Sequence, residues 1–89
     1  MNYKIAICIV THNHENYISQ AIESVLVQET NVPFKIFIGE DCSIDKTREI
    51  CLEYKNKYPE IFELVLSETN LGLVKNTINL LKRIQGDVS

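Results

Sequence analysis

The sequence predicts an α/β domain, a Rossmann-like parallel β-sheet with helices on both faces, and three observations support this class. Within 89 residues, three apolar runs rich in β-branched residues alternate with three segments of helical periodicity. The first run, residues 4–10, is almost continuously apolar, which is typical of a strand covered on both faces of a parallel sheet. Short polar segments connect each strand to the next helix. The predicted order is therefore β-α-β-α-β-α.

The first helix is predicted over residues 15–28, between two polar breaks. Thr11 or Asn13 is expected to cap its N-terminus, because both residue types accept hydrogen bonds from free helix amides. Residues 29–33 end the helix, since Pro33 cannot donate a backbone hydrogen bond. The positions expected on its buried face are Tyr17, Ile18, Ala21, Ile22, Val25 and Leu26.

The second strand is predicted over residues 34–39, and the second helix begins near Asp45 and ends before Pro59. Ser43 or Asp45 is the expected N-cap of this helix. The third strand follows over residues 61–66. The expected buried face of the second helix consists of Thr47, Ile50, Cys51, Tyr54 and Tyr58.

The third helix is predicted over residues 71–84, with Gly86 at its C-cap and residues 87–89 opening another strand. Because residues 87–89 are predicted to open a further strand, the chain is expected to be a truncated α/β domain whose first strand keeps an open edge. An open edge can pair with another chain, so a homo-oligomer is one expectation. The expected buried side of the third helix consists of Leu71, Val74, Ile78 and Leu81.

Composition excludes some classes of partner. Nine basic residues against twelve acidic ones leave no basic stripe for phosphates, which argues against nucleic-acid binding. The three cysteines lack CxxC spacing, so we expect reduced thiols, with Cys8 and Cys51 as small core residues. The apolar run at the N-terminus is too short to span a membrane. A cytoplasmic protein is therefore expected, with peripheral attachment to the inner face of the plasma membrane left open.

The residues that can carry chemistry lie in three polar turns, one after each strand. Because the strands are parallel, these turns meet at one edge of the sheet, where α/β proteins bind ligands. The second turn carries Glu40 and Asp41, and a carboxylate there can accept a hydrogen bond from a nucleobase N–H. The alternative for Asp41 is a surface acid near a helix N-terminus. The other polar residues of the turns are Thr11, His12, Asn13, His14, Ser43, Asp45, Glu68, Thr69 and Asn70.

Other candidates have competing explanations. His12 and His14 form an HxH pair, but no third ligand stands at suitable spacing, so the support for a metal site is weak. Lys75, early in the third helix, is either a solvated lysine or a phosphate contact. The glycine-rich phosphate motifs GxGxxG and GxxxxGK[ST] are absent, which argues against dinucleotide-binding and P-loop proteins.

Four motifs occur in an order that resembles one protein family. A hydrophobic strand ends in Thr11-x-Asn13 with Tyr17 after it, and the run AIESVLVQ follows at residues 21–28. The segment EDCSIDKT covers residues 40–47, and Asn70-Leu71-Gly72 with Asn76 precedes Gly86-Asp87. This combination resembles the N-terminal part of a family 2 glycosyltransferase of GT-A fold, over nearly the whole chain.

The resemblance implies that residues 1–89 form the nucleotide-sugar-binding part of a glycosyltransferase domain. Such enzymes of polysaccharide biosynthesis transfer a sugar from a nucleotide diphosphate, here most simply a UDP-sugar, to a hydroxyl of an acceptor saccharide. By resemblance, Thr11 and Asp41 contact the base. The resemblance also makes Lys75 a weaker candidate for a nucleotide contact and allows His12 to stack. Together with polar residues of the converging turns, the predicted nucleotide-binding residues are Thr11, His12, Asn13, Glu40, Asp41, Ser43 and Lys75.

The family's DxD metal motif and its catalytic base have no counterpart in these 89 residues. Mg²⁺ or Mn²⁺ is therefore expected for the full-length enzyme, with ligands outside this chain, and this part alone is expected to be inactive. Cys42 stands where the family has glycine, which is tolerable if the backbone there is not left-handed. Two alternatives stay open: a non-catalytic nucleotide-binding domain, and a response-regulator-like interaction domain, which would need a lone Asp and a Lys ending later strands.

Overall fold

The computed structural model describes residues 3–28 and 32–88, and it confirms the predicted order of elements. The elements are β1 (Ile5–Thr11), α1 (Ile18–Leu26), β2 (Phe34–Asp41), α2 (Thr47–Lys57), β3 (Phe62–Ser67) and α3 (Gly72–Val88). The strands form one parallel sheet in the order β1-β2-β3. Of the predicted helix break at residues 29–33, residues 29–31 lie outside the described residues. In the described part of the chain, no helix is long and apolar enough to cross a membrane.

The central strand β2 separates two apolar clusters, one on each face of the sheet. Successive side chains of a strand point to opposite faces. Phe37 therefore packs with Tyr3 and with Leu80 of α3 on one face. The cluster on the other face consists of Ile18, Ile22, Ile36, Ile38, Cys51 and Phe62. Helices thus cover both faces as predicted, and the predicted buried face of α2 is confirmed.

Strand β1 is less covered than the sequence predicts. Within the described residues it forms an edge of the sheet, and Ala6 and Cys8 are exposed. The expectation of a strand covered on both faces is therefore wrong, as is that of Cys8 as a core residue. The physical reason is the position of α3, which packs mainly on β2 and leaves the neighbouring part of β1 open.

Helix α1 begins at Ile18 instead of residue 15, and the predicted caps do not cap it. The hydroxyl of Thr11 lies 3.0 Å from Nδ1 of His14, and Oδ1 of Asn13 accepts the amide of Ile44 at 2.9 Å. The Thr11 side chain therefore bonds within the first polar turn, and the Asn13 side chain connects that turn to the second. As a consequence, α1 has no side-chain cap, and Tyr17, predicted on the buried face, is exposed.

The buried side of α3 differs from the predicted apolar series. Asn76 and Leu80 are buried, whereas 71% of Val74 and 54% of Leu81 is exposed. The amide group of Asn76 explains this rotation of the helix, because its Nδ2 donates to the buried carbonyl of Gly39 at 2.9 Å. The polar side chain of Asn76 therefore lies where α3 contacts the sheet, and the apolar residues Val74, Ile78 and Leu81 face away from it.

Helix α3 also extends further than predicted. It runs through Gly86 to Val88, so Gly86 is not a C-cap and residues 87–88 do not open a strand; Ser89 lies outside the described residues. The carboxylate of Asp87 accepts hydrogen bonds from the Tyr3 hydroxyl at 2.7 Å and from Lys35 Nζ at 3.2 Å. These contacts lower the pKa of Asp87, while burial and the bond to Asp87 raise the pKa of Tyr3 to about 12.

We expect Gly39→Ala to destabilise the fold. A Cβ at this position would lie 2.6 Å from Oδ1 of Asn76, so the Asn76 side chain, which donates to the Gly39 carbonyl, would have to shift. Overpacking of this kind costs about 1–3 kcal/mol in the free energy of unfolding, measurable by urea denaturation. The matched control is Gly86→Ala, where a Cβ would meet nothing within 4 Å. Equal stability of the two variants would contradict close packing of Asn76 on Gly39.

Candidate functional site

The polar turns that follow the three strands meet at the carboxyl edge of the sheet, as predicted, around a cavity of about 320 Å³. Its lining consists of Val10, Thr11, His12, His14, Asp41, Asn70, Gly72, Leu73 and Asn76. Of the predicted site residues, the structure brings Thr11, His12 and Asp41 to this cavity. The other four predicted site residues lie outside the lining: Asn13, Glu40, Ser43 and Lys75.

Asp41 is the best-placed acid of the site. It is the last residue of β2, which extends two residues beyond the predicted end, and only 3% of it is exposed. Its Oδ1 accepts the amide of Leu71 at 2.7 Å, and its Oδ2 accepts the amide of Gly72 at 2.9 Å. The N-terminus of α3 also favours negative charge. Asp41 is therefore a buried carboxylate, and each oxygen keeps acceptor capacity for a ligand.

The hydrogen-bond partners of His12 determine which of its ring nitrogens donates and which accepts. The carbonyl of Asp41 can only accept, so Nδ1 of His12 donates to it. Nε2 of His12 then accepts from Nδ2 of Asn13 at 3.1 Å. Because both ring nitrogens are already hydrogen-bonded, His12 is not arranged as a metal ligand, and its ring forms part of the cavity wall.

The partners of Thr11 and His14 form a second short network. The amide of His12 points to Nδ1 of His14 at 3.3 Å, which makes that nitrogen an acceptor. The hydroxyl of Thr11, which is 1% exposed, therefore donates to the same atom at 3.0 Å. This bond leaves the lone pairs of the Thr11 hydroxyl oxygen available as acceptors beside Asp41.

Asn13 and Ser43 join the first turn to the second. The amide of Asn13 donates to Oγ of Ser43 at 2.9 Å, in addition to the bond between Asn13 Oδ1 and the Ile44 amide. Asn13 has a φ of 54°, in the left-handed region that asparagine tolerates better than most residues. These two residues are committed to each other and to the loops, so they shape the wall of the site and do not line the cavity.

Glu40 is fully buried, and both of its carboxylate oxygens are bound by other parts of the protein. Its Oε1 accepts the amide of Ser43 at 2.7 Å, and its Oε2 pairs with Nε of Arg48. Arg48 also donates to the carbonyl of Ser67 and to Glu68. The hydrogen bond to Glu40, followed by the negative charges of Glu40 and Glu68, raises the pKa of Arg48. This ion pair fastens the second turn to the third. Arg48 is not among the site residues predicted from the sequence, although a basic residue one position into a helix that follows a buried acid is a usable signal.

Asp45 organises the start of α2. Its Oδ1 accepts the amide of Thr47, the first residue of the helix, at 2.9 Å, and its Oδ2 accepts the amide of Glu15 at 3.1 Å. Burial opposes ionisation of Asp45, but the hydrogen bonds from Thr47 and Glu15 outweigh it and lower the pKa. Of the two predicted caps, Asp45 therefore meets the helix amide, whereas Ser43 bonds elsewhere.

The cavity carries one carboxylate and neutral polar groups. Among its described lining residues there is no lysine or arginine, and Lys75 is exposed outside the lining. Asn76, which the sequence analysis did not assign to the site, lies in the lining, and its Oδ1 has no hydrogen-bond partner among the described residues. A cavity of this kind suits a neutral ring with N–H donors better than a phosphate group.

Comparison with known proteins identifies the family of this chain. Residues 6–89 match the family described as "Glycosyl transferase family 2". The chain belongs to this family.

The relatives are longer proteins. The chain is 32% identical over 83 residues to an uncharacterized protein of Mycobacterium tuberculosis, covering 93% of this chain and 24% of that protein. It is 34% identical to the dTDP-rhamnosyl transferase RfbG of Shigella flexneri, covering 85% of this chain and 26% of RfbG. It is 30% identical to the poly(ribitol-phosphate) β-N-acetylglucosaminyltransferase TarS of Staphylococcus aureus, covering 94% and 15%. The chain thus spans about a quarter or less of the length of these relatives.

A solved structure supports the fold. The mannosyltransferase PcManGT of Pyrobaculum calidifontis, in complex with GDP-Man and Mn²⁺, superposes with a TM-score of 0.78 at 15% identity. The match covers 93% of this chain and 25% of that one. The sheet of this glycosyl transferase family 2 chain therefore has the GT-A, Rossmann-like arrangement.

A divalent cation of the kind seen in that neighbour has no matching site among the residues that the structure describes. Within residues 3–28 and 32–88, no group of three or more His, Cys, Asp or Glu side chains is arranged to hold a metal ion. The described residues do not fit such an ion, and we derive no chemical step through it.

Cys42, which replaces the glycine expected for the family, has a left-handed backbone with a φ of 50°. Cysteine was expected to be tolerated here only if the backbone were not left-handed, so its presence introduces strain. A non-glycine residue in this region costs about 1–2 kcal/mol. The thiol of Cys42 donates to the carbonyl of Glu68 at 3.2 Å, which offsets part of that cost and ties the second turn to the third.

We expect Arg48→Met to lower the free energy of unfolding by about 3 kcal/mol, because it leaves the buried Glu40 carboxylate without its charged partner. Urea denaturation measures this loss. The double variant Glu40→Gln with Arg48→Met removes both charges and should recover a large part of the stability. A double variant as unstable as the single one would show that the charge of Glu40 is not the cause.

Proposed function

We propose that this chain provides the nucleotide-binding part of a glycosyltransferase that transfers a sugar from a nucleoside-diphosphate donor to a hydroxyl of an acceptor saccharide. One observation carries the proposal: the buried carboxylate of Asp41 lines a cavity with no lysine or arginine among its described lining residues. A carboxylate in such a place recognises N–H groups. Membership of glycosyl transferase family 2 supports sugar transfer as the reaction of the whole enzyme.

The base that this site favours is a pyrimidine imide, as in uracil. The imide N–H donates to Asp41, while the Thr11 hydroxyl, whose proton is donated to His14, presents only lone pairs to the ligand. Val10 and Leu73 provide apolar contacts for the ring faces, and His12 offers a flat surface. A UDP-sugar is therefore our first choice of donor, and the thymine ring of a dTDP-sugar carries the same imide.

Guanine is the nearest competitor, because its ring N–H and amino group can both donate to one carboxylate. The structural neighbour is in complex with GDP-Man, which makes this a base to test. Adenine lacks a ring N–H donor on its pairing edge and is expected to bind weakly. We assign no metal ligand or general base to these 89 residues, so they are proposed to bind nucleotide without transferring sugar.

The test is a titration of the isotope-labelled chain with UDP, dTDP, GDP and ADP, followed by amide chemical shifts. We expect UDP and dTDP to shift the amides of residues 11–14, 41–42 and 70–72. Asp41→Asn should weaken binding of UDP about tenfold or more, since it removes a hydrogen bond to a charged acceptor. The control Glu60→Gln alters an exposed acid outside the cavity lining and should bind like the wild type.

Each outcome separates the alternatives. Preferential binding of GDP would replace the pyrimidine by guanine as the recognised base. Equal binding of all four nucleotides, or unchanged binding by a folded Asp41→Asn variant, would overturn base recognition by Asp41. An absence of binding by the folded wild type would overturn the proposed function of this chain.

A further inference from the structure

The orientation of the Asp41 carboxylate depends on the first residues of α3. Both of its oxygens are held, one by the amide of Leu71 at 2.7 Å and the other by the amide of Gly72 at 2.9 Å. The amide of Gly72 also lies 3.1 Å from Oδ1 of Asn70. A carboxylate bound at both oxygens cannot rotate freely, so the direction of its remaining lone pairs toward the cavity is defined by these two amides.

Gly72 has a backbone conformation that few other residues adopt. Its φ is +82°, whereas a Cβ built on it would meet no atom within 4 Å. Glycine is therefore favoured at this position by the backbone and not by a lack of space. Asparagine tolerates positive φ better than alanine does, although its side chain is larger. Backbone conformation thus predicts that Gly72→Asn is tolerated better than Gly72→Ala, whereas side-chain size predicts the reverse.

We propose that Gly72 is a positioning residue for base recognition: its left-handed backbone presents the amide that orients Asp41 toward the bound nucleobase. This inference rests on the proposed function. Gly72 acts through Asp41, and the orientation that it gives this carboxylate allows discrimination between bases. Uracil donates an N–H at the ring position where cytosine has an acceptor, so a correctly oriented carboxylate favours uridine nucleotides over cytidine nucleotides.

The buried link between Asn76 and Gly39 supports this role of the helix start. It fixes α3 to β2 one turn after Gly72, through the bond from Asn76 Nδ2 to the Gly39 carbonyl. The helix is thereby anchored independently of Asp41. A change at Gly72 is therefore expected to disturb the two amides locally and to leave the packing of α3 in place.

The experiment compares UDP and CDP binding by the wild type, Gly72→Asn, Gly72→Ala and the control Gly86→Ala. We expect the wild type to prefer UDP by about tenfold or more, and Gly72→Ala to lose most of this preference while its affinity for CDP changes less. Gly72→Asn should stay within about threefold of the wild type. Gly86→Ala, also an α3 glycine with open space around a Cβ, should match the wild type.

A second readout is the amide proton shift of Leu71, which reports the hydrogen bond to Asp41 in the unliganded chain. It should move in Gly72→Ala and remain in place in Gly86→Ala. Retained UDP preference in Gly72→Ala would overturn the inference while leaving the proposed function standing. A larger loss in Gly72→Asn than in Gly72→Ala would show steric blocking and also overturn it. A wild type that binds neither nucleotide would overturn both proposals.

Discussion

The contact between the Asp41 carboxylate and the two amides at the start of α3 is the interaction on which the rest of the site depends. It connects the end of the central strand to the helix that covers one face of the sheet. Without it, the buried charge of Asp41 and the amide of Leu71 would lack partners, and the amide of Gly72 would keep only Oδ1 of Asn70; the first two losses each carry a substantial cost in free energy. The contact therefore stabilises the fold and, in the same geometry, places a carboxylate in the cavity.

Two neighbouring acids have different roles because a strand alternates its faces. Glu40 lies on the face of Ile36 and Ile38, where it meets Arg48 of α2, and Asp41 lies on the face of Phe37, where it meets α3. The sheet register places Glu40 opposite Thr11, which brings the first turn to the same edge. Strand geometry thus assigns one acid to the loops and the other to the cavity.

The sequence was sufficient for the order of elements, the parallel sheet and the convergence of the three turns, because apolar periodicity and polar punctuation determine them locally. It was insufficient for the ends of the elements. The tertiary bonds of Asn13 with the second turn and of Asp87 with Tyr3 and Lys35 decide where α1 begins and how far α3 extends. The face of α3 was also misassigned, because Asn76 overrides an apolar pattern with a single buried hydrogen bond.

The same reasoning explains why some predicted site residues lie outside the cavity. A motif indicates which residues are close together, but it does not show whether a polar group is used by a ligand or by another loop. Ser43 and Asn13 satisfy each other, and Glu40 is satisfied by Arg48, whereas Asn76, a lining residue of the cavity, has an Oδ1 with no hydrogen-bond partner among the described residues. Accounting for each buried donor and acceptor therefore separates the residues that build the site from those with capacity left for a ligand.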